Sequence, residues 1–197
     1  LETSPRCSLS IAGTRENTSN LFEQSDVVID FTSPDALGTH VDFSLSHKKP
    51  LVIGTTNLTD QHQRLLSSAA SQIPLVVAPN MSIGITLLSH LVQKASNFLD
   101  ESFDIEISEL HHRHKTDAPS GTALLLGHSA AKGRAKTLDE LKCEPDRKGL
   151  RNKGSIGFAV QRGGSIIGDH SVRLIGDEEM IEISHRGLSR NVYAKGA

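Results

Sequence analysis

From Glu109 to Ala123 the chain reads Glu-Leu-His-His-Arg-His-Lys-Thr-Asp-Ala-Pro-Ser-Gly-Thr-Ala, the densest run of chemically active side chains in the sequence. His111, His112, Arg113, His114 and Lys115 occupy consecutive positions. Side chains of these types hold anions, and imidazole exchanges protons near neutral pH. Downstream, Pro119-Ser-Gly-Thr-Ala123 precedes the apolar run Leu124-Leu-Leu126, so Ser120 is a candidate N-cap, with Gly121 and Thr122 in the first helical turn. The free N–H groups and the positive dipole end of such a turn suit a carboxylate or phosphate, and Gly121 allows it to approach closely. The plain alternative is a solvated basic turn followed by an ordinary cap. A zinc site is a third possibility, but adjacent histidines on an extended chain point in opposite directions and no H-E-x-x-H is present, so no metal is expected.

The elements that must position these residues follow from periodicity. Asp26 to Phe31 is a short apolar, β-branched strand closed by Thr32-Ser-Pro34, where Ser33 can cap a helix and Pro34 can occupy its first turn. That helix carries Leu37, Val41 and Leu45 and stops before Pro50; Leu51-Val-Ile53 is a second strand, ending in Gly54-Thr-Thr56. A helix from Thr59 or Asp60 carries Leu65 and Leu66 and leads to a third strand, Pro74 to Ala78. Apolar strands alternating with helices predict parallel βαβ units, half of a doubly wound, Rossmann-like sheet. Ligands bind such sheets at the carboxyl ends of the strands, where Gly54-Thr-Thr56 and Ala78-Pro-Asn-Met81 lie. Plain strand-to-helix turns are the alternative at both places.

Ser82 begins a further helix through Ile85, Leu88, Leu91 and Val92, followed by an alternating strand, Phe103 to Ser108. Residues 132–154 are polar, basic and Gly/Pro-punctuated and predict a long exposed loop. Ser155–Val160, Ser165–Ile175 and Met180–His185 predict an antiparallel meander turning at Gly163-Gly164 and Gly176-Asp177. The expected fold is α/β: an incomplete Rossmann-like parallel sheet, then an α+β domain with an open mixed sheet. The expected boundaries are 1–80 for a partial dinucleotide-binding domain, 81–190 for substrate binding and oligomerisation, and 191–197 for a return toward the first domain.

Composition narrows the partner. The 197 residues are 37% hydrophobic and 22% charged, typical of a globular protein, and Lys+Arg 21 against Asp+Glu 23 leaves a net charge of -2. A near-neutral chain lacks the footprint of a general nucleic-acid binder, which favours a small-molecule partner. Only Cys7 and Cys143 are present, and no run approaches the roughly 18 apolar residues of a membrane span, so a cytoplasmic protein is expected.

The fifteen residues from Glu109 to Ala123 resemble the signature of the 4-hydroxy-tetrahydrodipicolinate (dihydrodipicolinate) reductase family. The resemblance continues, in family order, through Ile29-Asp-Phe-Thr-Ser-Pro34, Val52-Ile-Gly-Thr-Thr56, Ala78-Pro-Asn-Met-Ser-Ile-Gly84, Gly154-Ser-Ile-Gly-Phe-Ala159, Gly168-Asp-His170, and Glu182-Ile-Ser-His185 onward through Ser189-Arg190 to Ala197. It implies reduction of a cyclic imine dicarboxylate by NADPH or NADH in lysine (diaminopimelate) biosynthesis, by a homotetramer. It also implies that His111 is the proton donor or acceptor and Lys115 the proton donor, that His112, Lys115, Gly121 and Thr122 hold the substrate, and that Arg190 closes over it. Gly54, Thr55, Thr56, Ala78, Pro79, Asn80 and Met81 are implied to hold the nicotinamide half, and Glu2 the adenosine ribose. The family's opening G-x-x-G-x-x-G turn has no counterpart, and the chain stops where family members continue with a helix, so it reads as a fragment or a record of ordered residues only. A second expectation, of a different class, is an oligomerising remnant that binds dicarboxylates without reducing them.

Overall fold

The computed structural model describes residues 7–13, 18–143 and 148–197. Contacts divide the chain into two compact units, Leu1–Met81 with Ala197, and Ser82–Gly196. The expected Glu2 contact lies outside the described residues.

The first unit runs α1 (Thr18–Gln24), β1 (Val28–Asp30), α2 (Pro34–His47), β2 (Leu51–Ile53), α3 (Asp60–Ala69) and β3 (Leu75–Val77). Its three strands are parallel, in the order β1-β2-β3, with Val28 opposite Leu51 and Leu51 opposite Leu75. Ser33 stands extended at the N-cap of α2 with Pro34 in the first turn, although its hydroxyl makes no cap bond; Lys48 ends the helix in the left-handed region, φ 53°. In α3 the Thr59 hydroxyl accepts from the His62 N–H, and the His62 ring accepts from the Thr59 N–H at 3.1 Å. Leu37, Val41, Leu66 and Ala69 from the helices pack on Leu51 and Ile53. Helix α1 adds Phe22, 1% exposed, to this core. Its sequence gives no apolar stripe, since Phe22 is its single buried residue.

The second unit comprises α4 (Ile83–Phe98), β4 (Asp104–His111), α5 (Gly121–Gly133), α6 (Leu138–Leu141), β5 (Ile156–Arg162), β6 (Asp169–Ile175), β7 (Met180–Arg186) and α7 (Asn191–Gly196). The sheet order is β5-β4-β6-β7, with β4 and β5 parallel and the other pairs antiparallel. The expected meander is therefore corrected: β6 and β7 form a hairpin, but β5 pairs with β4 and not with β6. Gly163-Gly164 is not a hairpin turn, because the Gly163 N–H donates to the His111 carbonyl and the Arg113 N–H to the Gly164 carbonyl, tying this loop to the end of β4. The expected loop 132–154 contains α6, whose Leu138 and Leu141 are buried in the core.

Strand β4 alternates strictly: Ile105, Ile107, Glu109 and His111 are buried, the intervening residues half-buried. Ile105 and Ile107 meet Leu174 and Val172 across β6 and pack with Leu88 and Val92 of α4 and Leu126 of α5. No helix among the described residues is long and apolar enough to cross a membrane. Ile107 is fully buried at the centre of this layer, so Ile107→Ala is expected to lower stability to chemical denaturation by about 2 to 5 kcal/mol.

Candidate active site

The inner face of the second sheet changes character along β4, from Ile105 and Ile107 to Glu109 and His111. Glu109 faces His170 across β6, and His170 faces His185 across β7, giving a polar row at one end of the sheet, buried at Glu109 and His170 and half-buried at His185. The Glu109 carboxylate, 2% exposed, accepts from every side. Arg162 donates to both oxygens, at 2.8 and 3.0 Å, the Ser120 backbone N–H donates to Oε1 at 2.8 Å, and His111 Nδ1 contacts Oε2. Burial alone would raise the Glu109 carboxyl, but the hydrogen bonds from His111, Arg162 and Ser120 outweigh it and hold it at about 2.

Ser120 is the N-cap of α5, as the sequence predicts, and its hydroxyl accepts from the Ala123 N–H at 3.2 Å. The same hydroxyl lies 3.3 Å from His170 Nε2, while His170 Nδ1 is buried with no partner among the described residues. A bare acceptor is cheaper to bury than a bare N–H, so His170 Nε2 donates to Ser120 and Nδ1 is unprotonated. Burial first, then the nearby His111, push His170 down to about 3. The His111 and His170 rings meet edge to face, with centroids 5.0 Å apart.

Beyond the end of β4, His112, Arg113, His114 and Arg190 line a cleft of about 590 Å³, together with Gly164 and Ser165. Burial, then the charges of Arg190, His111, His114 and Lys115, lower the His112 pKa. Lys115 is pinned by Asp117 at 2.7 Å, and its backbone N–H closes a turn on the His112 carbonyl. Burial would raise Asp117, but the Lys115 hydrogen bond holds it down. The structure thus gathers His111, His112, Lys115 and Arg190 near one end of the sheet, and joins the Gly121-Thr122 start of α5 to His111 through Ser120 and Glu109. Among the described residues no three His, Cys, Asp or Glu side chains converge as a metal site.

The remaining predicted residues belong to the first unit. The Gly54 N–H donates to the Asp30 carbonyl at 2.8 Å and the Ala78 N–H to the Ile53 carbonyl at 3.1 Å, which places Gly54-Thr-Thr56 and Ala78 to Met81 at the carboxyl ends of β2 and β3. At Gly54 the space of a side chain is taken by the Phe31 ring. Thr55 Oγ1 is buried without a partner among the described residues.

Arg162, His170 and the role of Glu109 are absent from the sequence-based assignment. A signal existed for Glu109: a carboxylate in phase with two isoleucines and a histidine on an alternating strand must be buried, and a buried carboxylate requires donors. Nothing local marks Arg162 as its partner, 53 residues away.

The buried row predicts acid sensitivity with a definite sign. Since His170 titrates near 3 in the folded chain and near 6.5 when unfolded, the unfolded state takes up its proton first. Stability is then full above pH 6.5 and falls toward pH 3 at about 1.4 kcal/mol per pH unit for one proton. Glu109, ordinarily 4.5 and held at about 2, adds a loss between pH 4.5 and 2. Urea unfolding across pH is expected to show both slopes, and His170→Gln to make the fall shallower from pH 6.5 to 3 while leaving the Glu109 loss between 4.5 and 2.

Comparison with known proteins bears on the whole chain. The family profile described as "Dihydrodipicolinate reductase, C-terminus" matches residues 84–197, and that described as "Dihydrodipicolinate reductase, N-terminus" matches residues 5–81. A 4-hydroxy-tetrahydrodipicolinate reductase of Zymomonas mobilis is 46% identical over 189 residues, covering 94% of this chain and 74% of the relative. One from Nitrosospira multiformis is 45% identical over 187 residues, covering 94% and 70%. Among solved structures, a dipicolinate-bound dihydrodipicolinate reductase from Paenisporosarcina sp. TG-14 superposes with a TM-score of 0.68 at 25% identity, covering 95% of this chain and 74% of that one. The expectation of a non-catalytic remnant finds no support in these reductases. By both of its units, and by relatives matched over nearly all of its length, the chain belongs to the dihydrodipicolinate reductase family.

Proposed function

We propose that the protein reduces 4-hydroxy-tetrahydrodipicolinate to tetrahydrodipicolinate with NADPH or NADH, a step of lysine (diaminopimelate) biosynthesis. The observation that carries this reading is the joining, within one unit, of the cationic cleft to the start of α5 through the Glu109-held His111. The dipicolinate held by the Paenisporosarcina relative supports a ring dicarboxylate as ligand.

A doubly negative substrate requires donors for two carboxylates. His112 and Arg190 line the cleft, and the N–H groups of Gly121 and Thr122 open α5; each charge-assisted hydrogen bond contributes on the order of 1.5 to 3 kcal/mol. Lys115 both neutralises a carboxylate and supplies a proton to the ring position that becomes basic on reduction, its ammonium held in place by Asp117. His111 exchanges a proton at the same site. When bound, the nicotinamide dinucleotide supplies the hydride. Gly54, Thr55, Thr56 and residues 78–81 would hold its nicotinamide half, and the buried Thr55 hydroxyl, unpartnered among the described residues, fits this role because a ligand donor or acceptor would satisfy it.

The proposed assembly is a homotetramer built on the sheet face opposite the helices. Support comes from the ordered polar ladder on that face, where Arg173 donates to Glu182 at 2.8 Å and to Ser108 at 3.2 Å, and Ser171 donates to Glu182 at 2.8 Å.

NADPH oxidation followed by absorbance tests the activity: turnover is expected with the substrate and none without it. His111→Ala and Lys115→Ala are each expected to lower kcat by about 10²-fold or more while NADPH affinity stays within about threefold; unchanged turnover in Lys115→Ala rejects its assignment. Thr55→Val is expected to weaken NADPH binding about fivefold, the loss of one neutral hydrogen bond, read by fluorescence titration.

A further inference from the structure

The cluster around Glu109 determines which nitrogen of His111 can take part in chemistry. The carboxylate receives the His111 ring, the Ser120 N–H and two guanidinium N–H groups. With that many donors it is ionised, and an ionised carboxylate only accepts. His111 Nδ1 must therefore carry a proton. The second nitrogen faces the other way: a side chain at Gly168 would place its Cβ 2.9 Å from His111 Nε2 and 3.3 Å from Cδ2. With glycine at residue 168 no Cβ crowds Nε2.

We propose that Glu109, clamped by Arg162, is the positioning residue of His111: it fixes the ring with its proton on Nδ1 and turns Nε2, across Gly168, toward the reacting molecule. The proposal rests on the reductase reading for the identity of that molecule, but not for the state of the ring. Arg162 serves twice, since Nη2 also donates to the Asp117 carbonyl at 2.6 Å, and Asp117 holds Lys115. One guanidinium thus sets the carboxylate behind His111 and the backbone beside Lys115, so both proposed proton carriers share a support. Among the described residues the other titratable group meeting the ring is His170 from β6, while the charges of His111 and Lys115 both act on the neighbouring His112 and on His170. His170 Nε2 is occupied by Ser120 and its Nδ1 makes no hydrogen bond among the described residues, so the His111 proton is held by Glu109 and not by His170.

The test uses the full chain labelled with ¹⁵N-histidine, with the His111 signals assigned by their loss in His111→Gln. Long-range ¹⁵N–¹H spectra above pH 7.5 are expected to show His111 as the Nδ1–H form; an Nε2–H form overturns the proposal without any variant. In Glu109→Gln, the Nδ1–H preference is expected to be lost and kcat to fall about 10²-fold or more, with KM for the dicarboxylate within about threefold. Glu109→Asp, which keeps the charge, is expected to recover part of both. A fall in kcat with the tautomer unchanged, or wild-type kcat in Glu109→Gln, overturns the proposal. Gly168→Ala crowds Nε2 and leaves Nδ1 alone, so it is expected to lower kcat while keeping the Nδ1–H signal; full activity there overturns the assignment of Nε2. If Glu109→Gln does not fold, the wild-type spectrum and Gly168→Ala still decide. If the wild-type chain shows the expected tautomer but does not turn over the dicarboxylate with NADPH, the proposed substrate fails and the positioning of His111 stands.

Discussion

A carboxylate buried between a sheet and the start of a helix sets the terms for the second unit. Glu109 is almost wholly shielded from water, and stripping an ionised carboxylate of its hydration costs several kcal/mol unless protein groups replace it. The replacements come from three elements. His111 lies two residues along β4, Arg162 ends β5, and Ser120 caps α5. None of the three can move away without leaving a buried charge uncompensated. The same contacts that satisfy Glu109 therefore fix the end of β5, the origin of α5 and the ring of His111 with respect to one another. Precision at the His111 imidazole is here a by-product of the need to neutralise a charge.

The rest of the inner sheet face follows the same division. Its apolar half, with Ile105, Ile107, Val172 and Leu174, is covered by α4 and α5 and supplies the cohesion of the unit. Its polar half lies under the beginnings of those helices: Ser120 contacts His170, and Ser82, the N-cap of α4, lies 3.5 Å from His185 Nε2. Helix starts are positive, which disfavours imidazolium and favours carboxylate. Neutral His170, ionised Glu109 and the positive start of α5 are thus mutually consistent. Burial lowers the pKa of His185 as well, so the row resists protonation along its length.

In the first unit the strands are only three residues long, and side chains anchor the turns that follow them. Asp30, at the end of β1, accepts from the Thr32 N–H at 2.8 Å, from the Thr32 hydroxyl at 2.7 Å and from His40 Nδ1 of α2 at 2.7 Å. That anchor fixes the turn carrying Phe31, whose ring rests on Gly54 at the end of β2. Glycine at position 54 leaves the space of its side chain to an aromatic ring of the chain itself, a use distinct from the approach of a nucleotide that the strand-end position suggests.

Much of the architecture was legible locally. The apolar runs at 28–30, 51–53 and 75–77, the caps at Thr59, Ser82 and Ser120, and the alternation of β4 each follow from short-range rules of burial and hydrogen bonding, and the structure contains them. The histidine-rich run and the helix start at Gly121 were equally visible, because side-chain type and capping are properties of a few adjacent residues. Helix α1 escaped because a single phenylalanine is no periodicity, and α6 because two leucines in a polar stretch reveal their burial only once a core exists to receive them.

What tertiary structure alone decided is which strands became neighbours. Two alternating segments joined by Gly163-Gly164 satisfy the local requirements of a hairpin, yet β5 lies parallel to β4, because the core packed by α5 and the pairing of β4 with β6 leave that edge for it. That choice brings Arg162 beside Glu109 and Gly168 beside His111. The sequence by itself determined the charges, the caps and the residues that could exchange protons, since these are carried by the side chains wherever they stand. Which carboxylate holds which imidazole depends on burial shared across the whole sheet, and no local stretch of the chain contains that information.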